Sequence, residues 1–582
     1  MTQAAAPSIA PFDPQRAYPR RFVPKDANLG DWVQVEPLFL ALRDRRPQSS
    51  AELERWLADY FELWAIINEE GARRHINMTL QTDDAEHEAA FKHFIEEIEP
   101  RVKPIDQELE KAYLEHPRRL ELPREHYALM DRMVENHIKL FREENIPLET
   151  QDQLLGAEYQ KLVGAMTVEM EGKELTLPQA SKFMDGTDRP LRQQAWEKIS
   201  ARYLQDREAM ETLYDQMIGL RHRIGTNAGF ANYRDYAFEA KQRFDYTPEH
   251  CFEFHSGVER AILPLVRKIH EKRRAQMGLD KKGDALRPWD TKVDPQGRAP
   301  LRPFADAAHL VSGVADIFTR VDPELSAQFR FMAEEKLLDL ESRKGKAPGG
   351  YQSTLEERRV PFIFMNAAGR DDDVRTLLHE GGHAFHAIAA RDLDVLHYRH
   401  APMEFCEVAS MSMELLALPH LGVFYKTPEE LQRARLSRLE ETVSLLPWIA
   451  VIDAFQHWAY TNPTHSRDER REAWIETYSR FSTIIDWSGF GEQRAYRWHQ
   501  QLHLFEVPFY YIEYGIAQLG ALQVWQRSRK DYPDAVRRYR QALSLGGSRP
   551  LPELFEAAGI HFKFDYDTLA PLADAVATEL GI

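Results

Sequence analysis

Two histidines four residues apart, His379 and His383, stand in the stretch TLLHEGGHAFHAIAA from Thr376 to Ala390. In a helix this spacing brings both imidazoles out on one face a turn apart, an arrangement that suits a divalent metal such as zinc. Glu380 follows the first of them, and a carboxylate beside the metal can take a proton from a water that the metal acidifies. The chemistry to expect is metal-assisted hydrolysis. Leu377, Leu378, Phe385 and Ile388 supply the apolar surface of a buried helix. Asp371, Asp372 and Asp373 precede it, where they offer an N-cap and a favourable interaction with the helix dipole. Gly381 and Gly382 each cost such a helix about 1 kcal/mol relative to Ala, which calls for a reason such as close approach of another backbone.

Two histidines leave zinc short of a third protein ligand. The metzincin pattern would place Gly three residues after the second histidine and His three beyond that, but His386 and Ala389 stand there, so that branch is excluded. Cysteine does not help, because the chain has only Cys251 and Cys406, which form neither a disulfide framework nor a thiolate-rich site. Oxygen is the remaining donor. The segment APMEFCEVASMSMELLALPHL offers Glu404, Glu407 and Glu414 in a helical pattern. Glu407, Met411 and Glu414 share one face, so Glu407 could reach the metal while Glu414 supports a ligating histidine. Glu404, one turn earlier, is the competitor for the ligand place. Acids among Phe, Cys, Val, Met and Leu are poorly explained as a solvated face, and a buried carboxylate wants a cation.

Farther on, RWHQQLHLFEVPFYYIEYGIAQLGALQVW gathers His499, His503, Tyr510, Tyr511 and Tyr514 into 16 residues. Hydrolysis of a peptide passes through a tetrahedral oxyanion, and neutral phenol or imidazole donors would stabilise it. As structure alone, the same segment reads as a buried helix whose tyrosines reach the surface.

The elements that must position these groups are mostly helical. From Ser49 to about Lys272 apolar residues recur at three- and four-residue intervals among charges, with breaks expected at Pro100, Pro104, Pro117, Pro123, Pro147 and DGTDRP. A second helical stretch runs from Ala305 to Leu340. Gly349 and Gly350 allow positive φ and close backbone approach, Val360 to Met365 reads as a short strand, and such a strand edge could take an extended peptide. The expected organisation is an N-terminal arm (1–48), a helical part (49–276), a linker or long loop (277–303) rich in Gly, Pro, Asp and Lys, and a metal-binding part (304–582). No repeat of 20 to 50 residues marks a solenoid.

At 582 residues with 43% hydrophobic and 11% aromatic content the chain can bury a sizeable core, and no apolar run is long enough to span a membrane. A net charge of −17 argues against nucleic acid or an anionic membrane as the main partner. The first residues carry no secretory pattern, and a cytoplasmic protein is expected.

HEGGHAFH followed by EVASMSME, with 28 positions from His379 to Glu407, resembles the thimet oligopeptidase and oligoendopeptidase F family of zinc metallopeptidases. The resemblance is most specific from about Gly349 to Gln523. It implies one zinc per chain on His379, His383 and Glu407, Glu380 in the catalytic place, and Glu414 as a further acid of the second motif helix. It also implies a mainly α fold, a large helical body divided by a deep channel, with a small β-sheet next to the HExxH helix. A His and one or more Tyr act as transition-state donors in that family, which points to His503 and Tyr510, then Tyr514 and Tyr511. The thimet branch is glycine-rich at that segment, whereas Glu506-Val507-Pro508 stands here, so the chain looks closer to the oligoendopeptidase F side. Short peptides are the implied substrates, with Gly349 and Gly350 as candidate contacts for their backbone. Two other readings remain: a zinc carboxypeptidase or dipeptidase of the same clan, and a non-catalytic helical binding protein with a degenerate motif.

Overall fold

Helices carry most of the chain, as the spacing of its apolar residues predicts, and sheets are small. The structure, a computed structural model, describes residues 11–343, 345–347 and 349–582, so the first ten residues of the expected N-terminal arm lie outside the described residues. Contacts divide the chain into two compact units, each assembled from three separate stretches. One takes the chain up to Glu143 with Arg302–Leu431 and Gly520–Phe562; the other takes Glu144–Leu301, Gln432–Leu519 and Lys563–Ile582.

In the first unit a three-stranded sheet is built on Val360–Ala367, flanked by Leu338–Glu341 in parallel and Tyr351–Leu355 antiparallel. Val360 to Met365 are all buried, which is why the central strand reads as a continuous apolar run and not as an alternation. The chain then turns at Gly369, whose φ of +80° suits glycine, and enters helix Asp371–Ala390, here called the histidine helix. Helix Met403–Leu416, the acidic helix, follows after a short connection. The stretch from Ala305 to Leu340 divides into Ala307–Val321 and Pro323–Glu334, since Pro323 suits a helix start, and its end joins the sheet.

The entry of the histidine helix differs from expectation. Arg370 occupies the N-cap, and Asp373 at the third helical position accepts from the backbone N–H of Ala368 and Arg370, both at 2.8 Å. Asp373 therefore ties the incoming loop to the first turn, and none of the three acids is the cap residue. Pro104 differs too. It lies inside helix Glu99–Leu114, which tolerates the loss of one ladder bond; Pro100 follows directly on a π turn, Phe94–Ile98, so the chain stays helical across it too, whereas Pro147 stands in a first turn where no bond is lost.

Helices Ser50–Leu80, Glu99–Leu114 and Arg124–Leu140 close a second apolar core in this unit around Trp56, Phe61, Leu109 and Met130. Asp106 is buried in it, accepting from Tyr60 Oη at 2.7 Å and Trp64 Nε1 at 2.8 Å. Burial, reinforced by neighbouring Glu110, pushes its carboxyl up to about 7. The folded state thus holds a proton that the unfolded chain releases near pH 4, so stability is full below that and falls as pH rises to about 7. Asp106→Asn is expected to flatten the thermal midpoint between pH 4 and 7, measured by calorimetry.

The second unit contains a hairpin, Thr167–Met170 against Lys173–Thr176, within a region whose periodicity is otherwise helical. Its turn, Glu171 and Gly172 with φ of 50° and 75°, has both central residues in the left-handed region that two-residue hairpins favour. Trp196, Trp289 and Trp487 pack in a separate core, Trp196 edge to face with Trp487 and tilted against Trp289. Within 277–303, Trp289 is thus buried, and Asp290 is fully enclosed between Arg189 at 2.8 Å and Arg192 at 3.2 Å. No described helix is long and apolar enough to cross a membrane.

Candidate metal centre

The histidine and acidic helices pack in direct backbone contact, and glycine permits it. A Cβ on Gly382 would stand 2.6 Å from both Ala409 O and Ser410 Cα, and one on Gly381 would strike the Phe318 ring at 2.7 Å. Real Cβ atoms do not approach backbone so closely, so the glycines trade helix propensity for proximity. Tyr539, buried, donates to the same Ala409 O at 2.8 Å and so ties the acidic helix at this contact.

That proximity brings together His379, His383 and Glu407, whose ligand atoms all lie within 4.8 Å of one another. Both Nε2 atoms approach the same oxygen, Glu407 Oε2, at 3.4 Å from His379 and 3.7 Å from His383. The rings stand edge to face with centroids 4.9 Å apart. Glu414 Oε1 accepts from His379 Nδ1 at 2.7 Å, which fixes the tautomer that leaves Nε2 turned toward His383 and Glu407. Ser410, one turn beyond Glu407 and fully buried, donates to Glu407 Oε2 at 3.0 Å. Sequence reasoning passed over Ser410 and Tyr539; a hydroxyl three residues after a candidate ligand was the available signal for the first. Glu404, the rival acid, is buried but does not belong to the group.

The electrostatics match a cation. Glu407 is 3% exposed, whereas the His379 and His383 side chains keep 20% and 16% of their surface, so the carboxylate is enclosed while the imidazoles face outward. Burial opposes charge on His379, yet hydrogen bonds to Glu407 and Glu414 overcome it and hold that imidazole well above its ordinary value. Burial lowers His383 to about 4, leaving the neutral ring that ligates metal. A divalent ion among these three groups would supply positive charge close to Glu407 and Glu414, the two carboxylates that approach His379. Desolvation, with the charges of Glu407 and Glu414, raises Glu380 to about 7 against the opposing pull of His379, and this side chain is 6% exposed.

Because Glu414 sets the His379 ring, Glu414→Ala is expected to weaken zinc binding about 10- to 100-fold, measured by competition with a chelating dye. Unchanged affinity would mean that packing alone orients the ring.

The other expected site residues can be described in their own surroundings. Gly349 has φ +97°, and a Cβ on Gly350 would touch Phe364 O and Thr376 Cγ2 at 3.4 Å, so both glycines belong to the turn that leads into strand Tyr351–Leu355. Asn366 Nδ2 donates to Ala347 O at 2.7 Å and Gly349 O at 3.0 Å, pinning this turn. In the second unit, His503 lies against the rings of Tyr510, Tyr511 and Tyr514 at 5.7, 4.9 and 5.7 Å between centroids. Tyr514 Oη is 3.4 Å from His503 Nε2, and Gln501 Nε2 is 2.8 Å from His503 Nδ1. Phe509, just before the tyrosines, takes φ +62°, a strained conformation for a bulky residue. Its N–H is held by Gln456 Oε1 at 2.7 Å and its carbonyl by Arg243, which also pairs with buried Glu513 at 2.9 Å. His499 is separate: it is fully buried, with Nε2 3.3 Å from Glu211.

The chain is similar to known proteins. The model of Peptidase family M3 matches residues 182–573 and that of the Peptidase M3 N-terminal domain matches residues 29–141. Oligopeptidase PepF of Bacillus subtilis (strain 168) is 22% identical over 396 residues, 67% of this chain and 56% of that protein. The Oligoendopeptidase F homolog of Borreliella burgdorferi is 22% identical over 233 residues, 38% of each. The matched region therefore spans well under two thirds of these curated relatives. Among solved structures, PZ peptidase A with inhibitor 2 superposes with a TM-score of 0.90 at 28% identity, over 96% of this chain and 99% of that one. Oligoendopeptidase-F from Enterococcus faecium, at 13% identity and a TM-score of 0.62 over 94% of this chain and 96% of that one, shares the fold. Since one family model runs through two thirds of the sequence, including both helices that carry the candidate ligands, the chain belongs to peptidase family M3.

Proposed function

We propose that this protein is a zinc-dependent endopeptidase that hydrolyses internal bonds of short peptides, with one catalytic zinc held by His379, His383 and Glu407. The observation that carries the reading is the approach of both histidine Nε2 atoms to one buried carboxylate oxygen, with Glu380 buried beside them. Zinc, when bound, supplies Lewis acidity to the scissile carbonyl and acidifies a water.

The chain's own residues do the rest. Glu380, enclosed and with its carboxyl near 7, takes the proton of the attacking water and returns it to the leaving amine. Its raised value suits a group that must accept and then give up a proton near neutrality. Glu414 holds His379 by Nδ1, and Ser410 orients Glu407. His503 and Tyr510, then Tyr514 and Tyr511, are the proposed oxyanion donors; the aromatic contacts around His503 and the fixed backbone at Phe509 support their being held in set orientations. Gly349 and Gly350, ahead of edge strand Tyr351–Leu355, are the proposed contacts for an extended substrate backbone. The relatives named oligopeptidase and oligoendopeptidase support the preference for short peptides. Cys251 and Cys406, neither in a disulfide, fit a reducing compartment, and we place the activity in the cytoplasm.

The test is an internally quenched peptide of about ten residues blocked at both ends. Cleavage that a chelator abolishes and zinc restores is expected. A blocked peptide left intact while its unblocked form loses terminal residues would favour the carboxypeptidase or dipeptidase reading instead.

A further inference from the structure

Within the second unit four side chains with metal-binding chemistry meet on two helices. Cys251 and His255 are one turn apart on Pro248–Gly257, and Asp453 and His457 are one turn apart on Pro428–Thr461. Paired ligands at this spacing on facing helices are how helical proteins build internal metal sites. The ligand atoms of Cys251, Asp453 and His457 all lie within 4.8 Å of one another, the same closeness found for His379, His383 and Glu407. Around a tetrahedral zinc such atoms stand about 3.3–3.8 Å apart, so small side-chain shifts would complete the site.

Two observations favour a metal over a self-sufficient polar cluster. The side chains are enclosed, Cys251 and Asp453 at 0%, His255 at 2% and His457 at 4% exposure. Yet neither ring nitrogen of His457 makes a well-formed hydrogen bond, although Nε2 is 3.3 Å from Asp453 Oδ2, and Asp453 Oδ1 also lacks a partner. Burying polar atoms such as His457 Nδ1 and Asp453 Oδ1 without a partner costs about 1–3 kcal/mol each. The cluster of Asp106, Glu110 and His137 provides the contrast. There Tyr60 and Trp64 saturate Asp106, and Glu110 pairs with His137 at 2.6 Å, so hydrogen bonds suffice.

We infer that Cys251, Asp453 and His457 bind a second transition-metal ion, with zinc the best fit to one sulfur, one oxygen and one nitrogen donor, and that His255 positions the Asp453 carboxylate. His255 Nε2 donates to Asp453 Oδ2 at 2.8 Å, the support that ligating carboxylates receive from neighbouring groups. Binding releases the thiol proton of Cys251. The thiolate and the aspartate then balance the two charges of the ion, so that a neutral site replaces a buried carboxylate. Phe238, Phe252 and Phe509 surround His457 with ring centroids at 5.9, 4.9 and 5.4 Å, an apolar wall that suits a structural ion loaded during folding.

The test is elemental analysis of the zinc-equilibrated, desalted full chain. About two zinc per chain are expected for the natural protein and about one for the His379→Ala/His383→Ala variant. Less than about one-tenth of an equivalent in that variant overturns the inference, whatever the peptidase activity proves to be. Cobalt substitution gives a second readout on the natural chain: a thiolate-to-cobalt absorption band in the near ultraviolet that Cys251→Ser removes. A cobalt-loaded chain without that band, or with a band that survives Cys251→Ser, also rules the site out.

Discussion

Glu380→Gln is expected to leave the protein folded and its catalytic zinc in place while turnover of a blocked peptide falls by about 10²- to 10⁴-fold. The amide has the volume of the carboxylate it replaces and sits where burial already favours an uncharged group, so the helix and the ligands on either side are undisturbed. What it lacks is a site for a proton. The loss should appear in kcat with little change in KM, because the side chain acts on the reacting water and contributes little to substrate affinity. Metal content and thermal midpoint measured on the same sample separate this outcome from unfolding. Full turnover in the variant would remove Glu380 from the mechanism.

Glu407→Ala is expected to abolish activity and tight zinc binding at His379 and His383, leaving the ion at Cys251, Asp453 and His457 in place, with a larger loss of affinity at the catalytic site than Glu414→Ala produces. Glu407 is the group that both histidines approach, and it is the negative charge that a buried cation requires. Without it, two imidazoles in a half-enclosed place hold a doubly charged ion with no negative charge among its protein ligands. Glu414 is too far along the helix to substitute while it is bonded to His379 Nδ1. Isothermal titration with zinc, compared with the parent chain, gives the affinity, and circular dichroism checks the fold. Zinc bound as tightly as by the parent would show that a different acid, Glu404 first among them, completes the site.

The mainly helical architecture was legible because helix burial leaves a three- to four-residue signature that repeats over hundreds of residues. The central strand Val360–Ala367 was legible too, as an apolar run ended by Asn366 and Gly369. The hairpin at 167–176 was not, since four residues of alternation are a weak signal among helices, although Glu171-Gly172 was a turn cue. The three acids stand in the first turn, where the dipole favours them as expected, but none is the N-cap, because capping depends on where the helix starts. A start at Asp371 makes Arg370 the cap and sends Asp373 back to the loop.

Sequence by itself determined the pair His379 and His383, the adjacent carboxylate Glu380 and the set of three acids from which a ligand could come, because helical periodicity fixes which side chains share a face. Tertiary structure decided which acid faces the pair, through the backbone contact that Gly382 allows at Ala409 and Ser410 and the rotation it imposes on the acidic helix. It also decided that stretches far apart in the chain share one unit, and that Cys251 meets Asp453 and His457 across two hundred positions. Periodicity reports the direction of a side chain from its own helix axis; the distance between two axes depends on packing between residues remote in sequence.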